Sequence, residues 1–242
     1  MKILLNNNDL NEALNKVSNL GFVPTMGSLH KGHISLIRKS KKKASKTIVS
    51  IFINTKQINN KKDFKRYPKN HKRDLSILKN LKVNYLYLPK PKQVYDSRRV
   101  KKIQIKKKDK ILCAKYRKGH FEGVLDVMDR LTKRIKPKFI FMGIKDYQQL
   151  HLVKNFVEKK HRCKIVPCKT IRNSNKLALS SRNLLLSKKG KSKAEKLTKN
   201  LIKFKRNLKK IKDIQKAITL KKKQLSQTYN INIEYLELRN EK

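Results

Sequence analysis

Tryptophan is absent from this 242-residue chain, and glycine (7), proline (6) and cysteine (3) are scarce. Acidic residues are scarce too, with 16 Asp and Glu against 65 Lys and Arg. Each shortage excludes something. The three cysteines, Cys113, Cys163 and Cys168, are odd in number and show no C-x-x-C spacing. That excludes a disulfide framework or a zinc finger and fits small buried thiols in a reducing cytosol. No stretch approaches the ~18 apolar residues of a membrane span. The opening M-K-I-L-L-N-N-N-D-L carries too short an apolar run for a signal peptide. A soluble cytoplasmic protein without a membrane partner is expected.

The shortage of acid leaves a formal net charge of +49. Taken alone, that charge points to a nucleic-acid or polyanion binder. The lysines, however, are spread along the whole chain, and Asn and Ile are abundant alongside them. Lys, Asn and Ile share A/T-rich codons, so drift in base composition produces the same pattern. Without Trp, and without a basic stripe interleaved with aromatics, the platform for stacking single-stranded bases is missing. Weak, salt-sensitive association is expected, and no specific nucleic-acid partner.

At 242 residues, the chain has room for one large domain or for one plus a smaller one. Asp9 and Glu12 have capping-box spacing. Leu10, Ala13, Leu14, Val17 and Leu20 follow at helical intervals, predicting a helix over 10–20 that Gly21 ends. Phe22-Val23 reads as a buried strand, and 33–45 as a helix. T-I-V-S-I-F-I (47–53) is a continuous β-branched run, as in a strand covered on both faces. A helix over 70–80 and a strand over 83–88 follow. Gly123 to Ile135 reads as a helix and F-I-F-M (139–142) as a strand. A helix marked by Leu150, Val153 and Val157 comes next, then a strand at 164–166. This alternation predicts an α/β fold with a doubly wound parallel sheet. The character changes near residue 169. Leu197, Leu201, Phe204, Leu208 and Ile211 mark an amphipathic helix, a second helix covers 212–228, and I-N-I-E-Y-L-E-L (231–238) alternates like a strand. The expected division is 1–169 and 170–242, the latter a small α+β domain.

The chemistry gathers where strands end, which is where doubly wound sheets bind ligands. In P-T-M-G-S-L-H-K-G-H (24–33), His30 and His33 lie three apart at a helix start, so both rings can face one ligand. Gly32 allows close approach of that ligand to the backbone. A strand–turn–helix unit of this kind is also a ready phosphate site. Two ordinary surface histidines are the competing reading. Lys145 and Asp146 follow the F-I-F-M strand, suited to phosphate and to a ribose hydroxyl or metal, or else to a solvated ion pair. Ser180, Ser181 and Arg182 offer hydroxyls and a guanidinium fork to phosphate oxygens; a polar loop explains them equally well. Gln57 and Gln149 are neutral amides near these turns.

Together the segments V-P-T-M-G-S-L-H-K-G-H, S-I-F-I-N-x-x-Q, R-Y-P, G-H-F-x-G-V, G-x-K-D-Y-Q-Q-L and L-A-L-S-S-R-N resemble the pantothenate synthetase (pantoate–β-alanine ligase) family of the H-x-G-H adenylating superfamily. They stand in family order across about residues 20–190. The resemblance implies a Rossmann-like first domain for nucleotide and pantoate, and a shortened C-terminal lid domain. It implies ATP-dependent joining of pantoate to β-alanine through a pantoyl adenylate, with Mg²⁺ and commonly as a homodimer. Carried over, Met26, Gly27, Ser28, Leu29, His30, Lys31, Gly32 and His33 bind ATP. Gly143, Ile144, Lys145 and Asp146 do so as well, with Ile171 at adenine and Leu179, Ser180, Ser181 and Arg182 over the triphosphate. His33, His30 and Lys145 carry catalysis. Gln57 and Gln149 hold pantoate, Gln57 also lies near β-alanine, and Asp74 matches a position associated with magnesium. This chain departs from the family pattern at Thr55, Lys56, Ile58 and Ile144, and at Asn175-Lys176. The alternatives are another carboxylate-adenylating ligase, or a basic nucleic-acid binder on a degenerate enzyme scaffold.

Self-repulsion at +49 destabilises the compact state, and salt screens it. The melting temperature is therefore expected to rise with sodium chloride up to about 0.3 M. A melting temperature that does not move with salt would contradict this.

Overall fold

The computed structural model describes the chain apart from residues 59, 96–101 and 240–242, and apart from the side chains at 61 and 62. In order the elements are β1 (Lys2–Leu4), α1 (Asn7–Leu14), β2 (Leu20–Thr25), α2 (Lys31–Lys43), β3 (Lys46–Ile51) and α3 (Lys61–Arg66). Then come α4 (His71–Asn80), β4 (Tyr85–Tyr87), α5 (Pro91–Val94), α6 (Cys113–Tyr116) and α7 (His120–Ile135). β5 (Phe139–Gly143), α8 (Tyr147–Lys160), β6 (Lys164–Cys168), α9 (Lys188–Asn207) and α10 (Ile214–Tyr229) complete the series.

Among the described residues the strands form one sheet in the order β1-β4-β3-β2-β5-β6. Every pairing is parallel. The period of two along each strand shows why. Phe22, Ile48, Tyr87 and Ile140 enter one apolar cluster, with Leu125, Met128 and Leu131 of α7 and Val153 of α8. Their neighbours Val23, Val49, Leu86 and Phe141 enter a second cluster, with Ile37 of α2 and Leu78 of α4. Successive side chains of a strand point to opposite faces, so an unbroken apolar run is what a sheet covered on both sides requires. The chain winds from β2 outward through β3 to β4, then returns to the other side of β2 for β5 and β6. The strand order therefore reverses between β2 and β5. The crevice outside their carboxyl ends is the binding position of such a sheet.

Two local expectations are corrected. The helix predicted over 10–20 stops at Leu14, because Leu20 and Gly21 are taken into β2, pairing with Lys46 and Thr47 of β3. Gly21 is thus a strand residue and not a helix stop. A Cβ there would lie 2.2 Å from the Ser40 Oγ of α2, so its bareness lets that helix close on the sheet. The cap of α1 is also three residues earlier than Asp9. Asn6 accepts the Asp9 N–H at 2.9 Å, while the Asp9 carboxylate accepts the Leu5 N–H at 2.9 Å.

The chain divides into two compact units, Met1–Ile171 with Leu179–Arg182, and Arg172–Ala178 with Asn183–Lys242. Beyond the boundary expected at 169, Leu179–Arg182 returns to the first unit, where the Leu179 N–H donates to the Ile171 carbonyl at 3.0 Å. The second unit holds α9, α10 and an isolated antiparallel bridge between Arg172 and Ala178. The strand expected at 231–238 does not form among the described residues. Alternating sequence makes a strand only with a neighbour to pair with, and no ladder reaches this segment.

Candidate active site

The site starts at the carboxyl end of β2. The Thr25 hydroxyl donates to the Ser50 carbonyl at 2.8 Å and accepts the Gly27 N–H at 3.2 Å. The next two residues are left-handed, Gly27 at φ +81° and Ser28 at φ +51°. For a serine this conformation is strained and needs support. Asp74, on the first turn of α4 and 1% exposed, supplies it. Its two carboxylate oxygens accept the Ser28 and Leu29 N–H groups, each at 2.7 Å. The Ser28 carbonyl accepts the Ser181 hydroxyl at 3.0 Å. Both sides of the strained residue are therefore tied.

His30 then caps α2. Its Nδ1 accepts the Gly32 N–H at 3.1 Å, and the His33 Nδ1 accepts the His30 N–H at 3.3 Å. A Cβ on Gly32 would meet the His30 ring at 2.7 Å, so the glycine makes room for this cap. The reciprocal cap fixes two things. It holds the rings together, with centroids 4.1 Å apart. It also assigns the tautomer: an Nδ1 that accepts is unprotonated, so each neutral ring carries its proton on Nε2. Burial, then the His30 ring, then the Lys145 ammonium push the His33 pKa down to about 3. Burial and then Lys145 lower that of His30. Two uncharged Nε2–H donors result, at a helix N-terminus whose own dipole favours anions.

Lys145 reaches the same place from the other side of the switch point. It lies exposed in the turn Ile144–Asp146 directly after β5, close enough for its charge to be felt by both imidazoles. Asp146 opens α8, and its charge acts on His120 and Arg182. Ser180 accepts the Arg182 N–H at 3.3 Å. The Arg182 guanidinium forks onto Asp63 of α3 (Nε to Oδ1 3.0 Å, Nη2 to Oδ2 2.7 Å) and lies over the Tyr67 ring at 5.2 Å. That edge of the guanidinium is engaged, leaving the Nη1 side for an anion.

The amide of Gln57 is set by Asn54, which is 1% exposed. The Asn54 Nδ2 donates to the Gln57 Oε1 at 3.1 Å and to the Gly123 carbonyl at 3.0 Å. The Asn54 Oδ1 accepts the Lys56 N–H and the Tyr95 hydroxyl. The Gln57 Nε2 donates to the Met26 sulfur at 3.1 Å, joining this turn to the first. The Gln57 carbonyl accepts from the His120 Nδ1 at 2.7 Å. His120 is thus the opposite tautomer, with Nε2 as acceptor. Burial, partly offset by that hydrogen bond, takes its pKa down to about 4. Gln149 lies half-buried on α8.

The turns expected at strand ends, Met26–His33 and Gly143–Asp146, do follow β2 and β5, and Leu179–Arg182 joins the same unit after the Arg172–Ala178 bridge. The sequence reading did not single out Asn54, His120, Asp63 and Tyr67. An Asn three residues before Gln57, just past a strand, was a usable signal for the first. Asp74, the residue expected beside magnesium, is buried, and each of its oxygens accepts a backbone N–H, so its observed work is to clasp the turn. Among the described residues no group of three or more His, Cys, Asp or Glu side chains could hold a metal ion. Mg²⁺ is usually held by one or two carboxylates together with substrate phosphates and water, and needs no such all-protein cage.

The family model described as "Pantoate-beta-alanine ligase" matches residues 2–242. The pantothenate synthetase of Campylobacter hominis is 41% identical over 207 residues, 85% of this chain and 76% of the relative. That of Cytophaga hutchinsonii is 37% identical over 231 residues, 95% and 82%. Among solved structures, the pantoate-beta-alanine ligase of Francisella tularensis complexed with "Beta-gamma ATP and Beta-alanine" superposes with a TM-score of 0.89. It is 34% identical, covering 99% of this chain and 90% of that one.

The His33 pKa sets a pH dependence. The unfolded chain takes up a proton near pH 6.5, and the folded chain resists until about 3. Stability from the neutral ring is complete above pH 6.5 and is lost as the pH falls toward 3. His120 acts in the same direction, down to about 4. Urea unfolding should show stability falling between neutrality and about pH 5, less steeply in His33→Gln. An equal slope in the two proteins would contradict the assignment.

Proposed function

The chain belongs to the pantoate-beta-alanine ligase family, and from that premise we propose how its own residues carry out the family's reaction. It joins pantoate to β-alanine at the expense of ATP. The observation that carries the site assignment is the pair of neutral Nε2–H donors at the N-terminus of α2, beside Lys145.

In the first half-reaction a pantoate carboxylate oxygen attacks the α-phosphorus of ATP. An O–P bond forms, the α–β bridging P–O bond breaks, and pyrophosphate leaves with the electron pair. Negative charge grows on the α-phosphoryl oxygens and the leaving group. His30, His33 and the α2 N-terminus donate hydrogen bonds to these oxygens, and Lys145 supplies positive charge. All are in place before the reaction, so their stabilisation requires little reorganisation. Keeping the imidazoles uncharged suits donation without proton transfer. In the second half-reaction the neutral β-alanine amine attacks the acyl carbon, a C–N bond forms, and the acyl C–O bond to AMP breaks. AMP leaves with the electron pair, and the nitrogen gives up one proton to solvent. Both nucleophiles belong to substrates, so the protein needs no nucleophile of its own, only positioning.

Gln57 and Gln149 hold pantoate in this reading. Asn54 fixes which end of the Gln57 amide is the donor, because the Asn54 Nδ2 donates to the Gln57 oxygen. Ser180 and the Nη1 side of Arg182 meet the triphosphate, with Asp63 holding the guanidinium in its plane. Three free cysteines support action in a reducing cytoplasm, and no described helix is long and apolar enough to cross a membrane.

AMP should be released from ATP only when pantoate and β-alanine are both present. His33→Ala or Lys145→Ala should lower adenylate formation about 100-fold or more, as for loss of an oxyanion donor, whereas a fall of less than about threefold would show the site misassigned. A folded protein that releases no AMP with both substrates would sink the reading.

A further inference from the structure

The turn that carries Gln57 is short and weakly held by its own backbone. It is a single 3-10 turn over Thr55–Gln57, and the Gln57 N–H reaches the Asn54 carbonyl only at 3.4 Å. It lies directly against α7. A Cβ on Gly123 would come within 2.4 Å of the Lys56 carbonyl oxygen. One helical turn further along α7 is Asp126. Its Oδ2 accepts the Lys56 ammonium at 3.1 Å and its Oδ1 accepts the Arg130 Nε at 2.8 Å. The same ammonium lies 3.9 Å from the centroid of the Tyr95 ring, with the Arg130 guanidinium 5.1 Å from that centroid. The Tyr95 hydroxyl in turn donates to the Asn54 Oδ1 at 2.7 Å.

These contacts close two circuits through one side chain. From the turn, Lys56 reaches Asp126, and α7 returns to the turn through the Gly123 carbonyl and the Asn54 amide. Lys56 also covers the Tyr95 ring, and Tyr95 returns to the turn through its hydroxyl. Asn54, which orients the Gln57 amide, belongs to both. A lysine at an exposed turn normally leaves its ammonium in water. Here the side chain, 50% exposed, sets its ammonium between a carboxylate and an aromatic face, each favourable to it.

We infer that Lys56 is a positioning residue, fastening the Asn54–Gln57 turn to α7 through Asp126 and Tyr95 so that the Gln57 amide is held ready for pantoate. This inference rests on the reading that Gln57 contacts pantoate. A tether of this kind acts on substrate binding and not on the phosphoryl chemistry at His33 and Lys145. Its loss loosens ground state and transition state alike, which raises KM and leaves kcat in place. Salt screens the Lys56–Asp126 pair and so weakens the tether.

The test is steady-state AMP release with the full-length protein, varying pantoate with ATP and β-alanine saturating. Lys56→Met retains an unbranched apolar stem and removes the ammonium. It should raise the KM for pantoate about three- to tenfold, in line with one partly exposed ion pair plus one cation–π contact. The kcat and the KM for ATP should stay within about twofold. Lys56→Arg should restore most of the affinity. Asp126→Asn should also raise the pantoate KM, and the double variant should fall clearly short of the product of the two single effects, since the Lys56–Asp126 pair is shared between them. An unchanged pantoate KM in Lys56→Met, equal losses in kcat and ATP affinity, or strictly additive effects would each overturn the inference. Gln57→Ala separates the levels. If it too leaves the pantoate KM unchanged, the site reading fails and takes this inference with it. If it raises KM while Lys56→Met does not, only the tether is wrong.

Discussion

The carboxylate of Asp74 holds together what the rest of the site depends on. The turn after β2 must leave the sheet, reverse through two left-handed residues and deliver His30 as the first cap of α2. Without a partner, the buried N–H groups of Ser28 and Leu29 would each cost about 1–3 kcal/mol. Asp74 satisfies both from α4. Everything downstream is a local consequence: the reciprocal histidine cap, the tautomers it imposes, and the direction in which both Nε2–H groups point. A helix from the other side of β3 thus sets the chemistry of the β2–α2 turn, and the Ser181 hydroxyl fastens the same residue from a third segment.

The scarcity of acid gives this arrangement its economy. Only 16 carboxylates face 65 lysines and arginines, yet several sit where geometry is being set. Asp74 clasps the turn, Asp63 holds the plane of Arg182, and Asp126 receives Lys56 and Arg130. The surplus positive charge is spread over the surface, where salt screens it. Inside the site, charge is kept off the imidazoles: burial and Lys145 leave His30 and His33 neutral at physiological pH. A strongly basic chain therefore presents its phosphate donors as uncharged groups, and the local cation comes from Lys145.

Much of the fold was legible because the sheet is buried on both faces. Continuous β-branched runs such as Thr47–Ile51 have one reading, and the helices between them carry one apolar face each. Gly21 misled because Val17 and Leu20 keep helical spacing while the backbone there pairs with β3, a contact no local pattern announces. The segment 231–238 misled in the opposite way, since its alternation is strand-like and, among the described residues, no strand pairs with it. In the site, the residues on one continuous motif, Met26–His33, were readable, as were those that follow a strand directly. Those that act through distant partners were not. Asp74 lies 46 residues from Ser28, Asp63 lies 119 from Arg182, and Asn54 lies 69 from Gly123. The family resemblance associated Asp74 with magnesium, whereas only the geometry shows that both its oxygens are engaged by backbone.

The most direct test of the central claim is the affinity of Asp74→Asn for ATP, titrated calorimetrically on protein shown by circular dichroism to be folded. The amide keeps the shape of the carboxylate but offers one acceptor to two N–H groups. The account predicts ATP binding weaker by about tenfold or more, the equivalent of one lost charge-assisted hydrogen bond, with the helix and sheet content unchanged. A folded Asp74→Asn protein that binds ATP as tightly as the parent would contradict it.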